Sequence, residues 1–132
     1  MARDYRKLRV FALADRLVVA IYRITLRFPR DESFGLRAQI RRAYVSTALN
    51  IVEGTARPTQ KDYVHFLNIA LASATEGRYA LDLASRLGFI AFEDVAGLIQ
   101  SSDELIRSLQ KLIVSLNMAE AQSPARSPKP EA

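Results

Sequence analysis

The stretch from residue 35 to residue 54, GLRAQIRRAYVSTALNIVEG, constrains the fold most, because as a helix it carries two apolar flanks. One flank holds Ile40, Tyr44, Thr47 and Ile51, and the other holds Val45, Leu49 and Val52. A helix at the surface of a monomer needs only one apolar stripe. We therefore expect this helix to pack inside a bundle with one flank and to contact another subunit with the other. The pattern leaves open which flank does which.

Composition bounds the class of protein. A chain of 132 residues corresponds to one domain, and its 49% hydrophobic and 25% charged residues are typical of a globular protein. Cysteine is absent, which excludes disulfides, thiolate zinc sites and cysteine nucleophiles. No apolar run is long enough for a membrane span, and the charged start MARDYRKLRV does not look like a signal peptide. We expect a cytoplasmic protein with no membrane partner.

Apolar periodicity predicts four helices, over about residues 8–28, 33–53, 60–87 and 93–118, and it predicts no strand. They form one domain over residues 1–120, and the Pro- and Ser-rich tail 121–132 is expected to be disordered. Boundary signals support these limits. Pro29, Gly54 and Gly88 are predicted to end the first three helices. Ser33 with Asp31 and Glu32, Thr59 with Asp62 as a capping box, and Glu93 with Asp94 are predicted to begin the last three.

Short connections between long helices favour antiparallel neighbours, so we expect an all-α, up-down-up-down four-helix bundle. Within the third helix, small residues form a narrow stripe comprising Ala70, Ser73, Gly77, Ala80 and Ala84. A mid-helix glycine costs about 1 kcal/mol relative to alanine. We interpret Gly77 as a position where a neighbouring helix approaches closely.

Three sequence blocks resemble one known family. They are YRKLRVFALADRLVVAIYRIT followed by FP at 28–29, GLRAQIRRAYVSTALNIVEG, and DYVHFLNIALASATEGRYALDLASRLGFI. The chain resembles the small bacterial four-helix-bundle proteins named for the 23S rRNA intervening sequence, which are related to the accessory protein of diversity-generating retroelements. The middle block follows the pattern G-L-x-x-Q-x-R-R-A-x-x-S-x-x-x-N-I-x-E-G. The chain departs from the family pattern at Thr47-Ala48, Ala72 and Gly77.

The resemblance implies a homopentamer, a ring of bundles around a central channel, with no enzymatic activity. The retroelement accessory proteins bind nucleic acid and a reverse transcriptase, so the resemblance suggests RNA or DNA, and a reverse transcriptase or another protein, as partners beside the chain itself.

A row of arginines is the strongest candidate for a binding surface. Arg9, Arg16, Arg23 and Arg30 recur every seven residues, with Arg27 beside them, opposite the apolar stripe of the first helix. Residues 1–30 carry eight basic and two acidic residues, whereas residues 91–132 carry four basic and six acidic residues. The arginine fork suits phosphate oxygens, and a row without aromatic residues favours backbone contacts over base readout. The alternative is a solvated outer face that only aids solubility.

A second set of polar residues lies between the two flanks of the second helix. Arg37 and Arg41 either extend the basic surface or pair with acids of a neighbouring subunit. Gln39, Ser46, Asn50 and Glu53 form a polar row with Arg42 nearby, and Glu76 of the third helix can face it. We predict a structural hydrogen-bond network at an interface rather than an active site, with Arg42 as the partner of Glu76 or Glu53.

Little in the sequence indicates catalysis or a cofactor. His65 is the only histidine and is predicted to lie on the surface, and no serine has a base at a readable spacing. The Glu-x-x-His motif of di-iron bundles and phosphate-binding glycine loops are both missing. We therefore predict a non-enzymatic, ring-forming protein with no metal and no cofactor, which binds RNA or DNA phosphates through its basic face. A protein–protein scaffold with no nucleic-acid role is the alternative, and an enzyme with an unfamiliar site in the polar row is a second rival.

Overall fold

The computed structural model describes residues 3–32 and 34–122, except for the side chain of residue 32. Four α-helices account for most of them: α1 (Arg9–Thr25), α2 (Leu36–Thr55), α3 (Gln60–Arg86) and α4 (Phe92–Gln122). Short 3-10 helices precede α1 (Tyr5–Lys7) and α2 (Arg30–Glu32). The described residues contain no strand, and the predicted all-α four-helix bundle is confirmed.

Each helix packs against its sequence neighbour, and α4 closes the bundle against α1. The directions of α1 and α4 are opposite. Residue 9 at the start of α1 pairs with residue 104 of α4, and residue 27 just after α1 pairs with residue 94, as antiparallel helices do. In this square arrangement the side formed by α1 and α4 lies opposite the side formed by α2 and α3. The two sides can therefore carry different functions.

The buried residues show which flank of α2 faces the core. Ile40, Tyr44, Thr47 and Ile51 are at most 1% exposed, whereas Leu49 on the other flank is 61% exposed. The first flank meets the apolar stripes of the other three helices in one continuous core. On the second flank Leu49 is left exposed at the surface of a single chain, and Val45 and Val52 are half-buried.

Tyr44 crosses this core from α2 to α4. Its hydroxyl hydrogen-bonds to the hydroxyl of Ser102 at 2.6 Å, and Ser102 also donates to the carbonyl of Leu98. The ring passes directly over Gly77 of α3, where a Cβ would lie 2.7 Å from Cε2 of Tyr44. The close approach predicted at Gly77 is confirmed, and its cause is an aromatic ring.

Several helix ends differ from the sequence prediction. Helix α1 ends at Thr25 rather than near Phe28, because Leu26 to Phe28 form a turn in which the amides of Arg27 and Phe28 bond to carbonyls three residues back. Helix α2 begins at Leu36 behind Gly35, and the predicted start at Ser33 lies outside the described residues. Helix α4 begins at Phe92, one residue before the predicted start, and runs to Gln122, so residues 121 and 122 of the predicted disordered tail are helical. The rest of that tail falls outside the described part.

The prediction that Gly54 ends α2 is wrong. The helix continues through it to Thr55, and Gly54 is buried where a Cβ would come within 3.1 Å of side-chain atoms of Tyr63 and Phe66. A Cβ there would make Tyr63 or Phe66 of α3 shift by a few tenths of an ångström, so glycine favours the close packing of α2 on α3. Gly88, in contrast, has a φ of 81° just past α3, as a glycine stop requires, and Thr59 caps α3 by accepting from the amide of Asp62 at 3.1 Å.

Candidate functional site

The arginine row of α1 lies on the outer face of the bundle, on the side of α4. Arg9, Arg16 and Arg23 of α1 are all exposed, as are Arg27 and Arg30 just beyond the helix. Two of the five pair with acidic residues of α4. Arg9 pairs with Glu104, and Arg27 pairs with Asp94 at 2.8 Å, so α1 and the turn after it are both linked to α4. These acidic partners lie 95 and 67 residues away and could not be predicted from the sequence.

Arg16 and Arg23 form the unneutralised part of the row. Across residues 3–32 and 34–122, neither side chain has a hydrogen-bond or ion-pair partner. They are seven residues apart on one helix face, which separates their Cα atoms by about 10 Å. Two exposed guanidinium groups borne on Cα atoms this far apart can contact separate phosphates of one strand.

The arginines before and within α2 are engaged inside the chain. Arg41 donates to the hydroxyl of Thr25 at 2.9 Å and to the carbonyl of Tyr22 at 3.1 Å, and its guanidinium lies 4.4 Å from the Tyr22 ring centroid. Arg30 and Arg37 also have interaction partners. Arg41 therefore holds α2 against α1 and does not extend the row as a free cation.

A wide groove runs along the outer side of α2 and α3. It has a volume of about 1010 Å³, and Val45 and Leu49 of the second flank of α2 line it. Tyr79 and Leu83 of α3 and Tyr22 of α1 add apolar surface, and Tyr79 is 59% exposed. The groove is thus the place where the second flank of α2 meets apolar residues of two other helices.

The floor of the groove holds part of the predicted polar network. The hydroxyls of Ser46 and Ser73 hydrogen-bond at 2.9 Å, which joins α2 to α3. Asn50 donates to the carbonyl of Ser46 at 2.8 Å and to its hydroxyl at 3.1 Å. Ser73 was missed as a site residue, although it belongs to the small-residue stripe of α3.

Within one chain, Arg42 does not form the predicted pair with Glu76 or Glu53. Its guanidinium donates to the side-chain oxygen of Gln39 at 3.0 Å, one turn away on the same helix. Glu53 pairs instead with Arg57 at 3.3 Å. Glu76 lines the groove and is exposed, and in the described part of the chain it has no hydrogen-bond or ion-pair partner.

The described residues bring together little that could perform catalysis. His65 is exposed, and its ring packs edge-to-face on Phe66 with 5.3 Å between the ring centroids. Burial raises the pKa of the Tyr44 hydroxyl to about 12, which keeps it protonated as a hydrogen-bonding group. Within residues 3–32 and 34–122, no three His, Asp or Glu side chains cluster as a metal site would need. None of the helices in that part combines the length and hydropathy required to cross a bilayer.

Comparison with known proteins agrees with this architecture. A sequence profile described as "23S rRNA-intervening sequence protein" matches residues 6–111. A crystal structure of a protein with unknown function from the S23 ribosomal protein family of Bacteroides thetaiotaomicron VPI-5482 is 28% identical, with a TM-score of 0.71. The match covers 79% of this chain and 97% of that one. No curated protein matches the chain.

Proposed function

The chain belongs to the 23S rRNA-intervening sequence protein family, and from this premise we propose that it is a non-enzymatic, homo-oligomeric bundle that binds RNA or DNA phosphates through the outer face of α1. The observation that carries the proposal is the unneutralised pair Arg16 and Arg23 on that face. Both are exposed and lie on a rigid helix on the side away from the α2–α3 groove.

The groove on the opposite side supports self-association. Leu49 and Tyr79 are more than half exposed in a single chain, and Tyr22 is 44% exposed beside them. Full burial of one such side chain contributes about 1.5–3 kcal/mol. Arg42 and Glu76 stand exposed along the same groove and can pair across a contact between copies. We propose that copies of the chain cover this groove.

Assembly and binding reinforce each other in this proposal. One chain offers only a few phosphate contacts and would bind weakly at physiological salt. A ring places several α1 faces on one nucleic acid, so that each further contact becomes intramolecular and the overall affinity rises. The family resemblance supplies five as the number of copies.

Nucleic-acid binding is tested by fluorescence anisotropy with a labelled RNA strand and a DNA duplex over about 50 to about 200 mM salt. We expect affinity to fall steeply as salt rises. The variant Arg16→Gln/Arg23→Gln should bind more weakly, with a log–log salt slope shallower by about 1.4 on a single strand and about 1.8 on a duplex. The charge-matched control Lys61→Gln/Arg86→Gln removes two positive charges elsewhere and should retain most of the affinity.

A scaffold without a nucleic-acid role is the second candidate. The observation in its favour is that Glu104 and Asp94 neutralise Arg9 and Arg27, which leaves Arg16 and Arg23 as the arginines of the row without a partner among the described residues. The same titration separates the two functions. If the wild-type protein has no measurable affinity even at the lowest salt, the α1 face has no phosphate-binding role and the scaffold function is correct.

A further inference from the structure

We propose that the cleft between the start of α1 and the second half of α4 is a binding site for a backbone phosphate of a nucleic-acid strand. This inference rests on the proposed nucleic-acid function and adds a second site to it. The cleft has a volume of about 500 Å³ and lies on the same side of the bundle as the α1 arginines. The proposed site consists of Arg9, Arg107, Ser108 and Lys111.

The periodicity of α4 brings the site together. Residues 104, 107, 108 and 111 follow the spacing i, i+3, i+4, i+7, so their side chains share one face of the helix. That face lies against Arg9 and Val10 at the start of α1. Val10 is buried, and Leu8 and Leu112 pack against the core beside it, so the polar groups stand on a rigid apolar base.

The charges in the cleft favour an anion. It holds three cationic side chains and one carboxylate, that of Glu104. In the described part of the chain, the side chains of Arg107, Ser108 and Lys111 have no hydrogen-bond or ion-pair partner. Two like charges one turn apart on a helix repel each other, so Arg107 and Lys111 gain from an anion placed between them.

The types of donor favour a phosphate. Arg107 offers a planar fork, Lys111 a compact ammonium group, and Ser108 a hydroxyl donor, which together suit an oxyanion with several acceptor oxygens. Arg9 is already fixed over the cleft by Glu104, and this pair is exposed. Exposed pairs are weak, so a phosphate can share the Arg9 guanidinium with the carboxylate.

Continuity with the α1 row favours a nucleic-acid strand over a free anion. Arg9 belongs both to the cleft and to the row that contains Arg16 and Arg23. A strand lying along α1 toward its first turn would therefore bring its next phosphates over Arg107 and Lys111. A single inorganic phosphate would contact only the cleft.

The test measures binding of a fluorescein-labelled oligouridylate of about 20 nucleotides by anisotropy across a salt series. Arg107→Gln/Lys111→Gln should weaken binding roughly tenfold at about 100 mM salt and make the log–log slope shallower by about 1.4. Lys61→Gln/Arg86→Gln, with the same loss of charge, is the control. Both substituted pairs are exposed, so circular dichroism should show unchanged folding.

A gain of affinity provides a second readout. Glu104→Gln removes the one carboxylate among the described residues that line the cleft, but keeps an oxygen that can accept from Arg9. We expect it to bind the oligouridylate severalfold more tightly at low salt, which a merely structural role of Glu104 would not produce. Inorganic phosphate at millimolar concentration should not displace the strand at constant ionic strength.

The outcomes separate this inference from the proposed function. If the wild type binds and Arg16→Gln/Arg23→Gln weakens it, but the cleft variant matches the control, the proposed function stands and the cleft site is refuted. If the wild type does not bind at all, the proposed function fails and this site fails with it. Displacement by inorganic phosphate alone would make the cleft a free-anion site and would also overturn the inference.

Discussion

Replacing Gly77 with alanine tests the core geometry most sharply, because two opposing effects of known size meet there. A Cβ on Gly77 would lie 2.7, 3.0 and 3.2 Å from Cε2, Cδ2 and Cζ of Tyr44. Ordinary contacts begin near 3.4 Å, so the ring must move by about 0.7 Å. The ring is held in place from its far end, where the Tyr44 hydroxyl bonds to Ser102 at 2.6 Å. Moving the ring therefore strains or breaks that bond.

The expected magnitude follows from these contacts. Alanine gains about 1 kcal/mol of helix propensity over glycine. Overpacking costs about 1–3 kcal/mol, and a buried hydroxyl left without its partner costs about 1–3 kcal/mol. The net loss is about 3 kcal/mol in the middle of this range. With an unfolding entropy of roughly 2 cal/mol/K per residue, that loss lowers Tm by roughly 10 °C for 132 residues.

Gly97→Ala is the matched control for thermal and urea unfolding followed by circular dichroism. Gly97 is also inside a helix, but a Cβ there meets nothing within 4 Å, so alanine should stabilise the protein by up to about 1 kcal/mol. In a Tyr44→Phe background, Gly77→Ala should cost less, because the Ser102 bond is already gone. If Gly77→Ala raises Tm as Gly97→Ala does, the placement of Tyr44 over α3 is incorrect.

Three further predictions concern stability and assembly. Burial raises the pKa of the Tyr44 hydroxyl from 10 to about 12. The protonated hydroxyl therefore contributes fully to the free energy of unfolding below pH 10, and this contribution is lost as the pH rises toward 12. Tyr44→Phe should flatten the fall of the unfolding free energy between these two pH values. Thr59→Ala removes the cap of α3 and should cost about 1 kcal/mol in urea unfolding, and no change would refute the cap. Leu49→Asp in the α2–α3 groove should dissociate the oligomer in sedimentation without unfolding the chain, whereas Met118→Asp on the equally exposed end of α4 should leave it intact.

The helices and the core could be predicted from the sequence because both depend on local periodicity. The apolar stripes of α1 and α4 and the first flank of α2 fall on the faces that the structure buries. The two apolar flanks of α2 were visible as well. Which of the two flanks faces the core depends on where the other helices lie, and this position cannot be inferred from the sequence of one segment.

The errors arise where one residue type serves two physical purposes. Gly54 lies near the end of α2, so the sequence predicts that it ends the helix. In the structure its small size favours close packing against α3 instead, because Tyr63 and Phe66 lie 3.1 Å from the position of an added Cβ. The same ambiguity was resolved correctly at Gly77 because that glycine lies far from either end of its helix.

The partners of the arginines could not be predicted, because they lie far away in the sequence. Arg9 and Glu104 are separated by 95 residues, and Arg27 and Asp94 by 67. Their pairing depends on how α4 lies against α1. The cleft at Arg107 and Lys111 could not be predicted either, because its Arg9 comes from a distant part of the sequence. In addition, residues 91–132 are acidic as a whole, which hides this local pair of cations on α4.

The mass of the native protein in solution tests the central claim that copies of the chain cover the second flank of α2. Light scattering on the eluting protein, repeated over a dilution series, measures it directly. Five copies of the 14.8 kDa chain give a particle of about 74 kDa, which should persist on dilution because assembly buries the exposed Leu49 and Tyr79 side chains of the groove. A folded protein that remains at 14.8 kDa at every concentration would contradict the account.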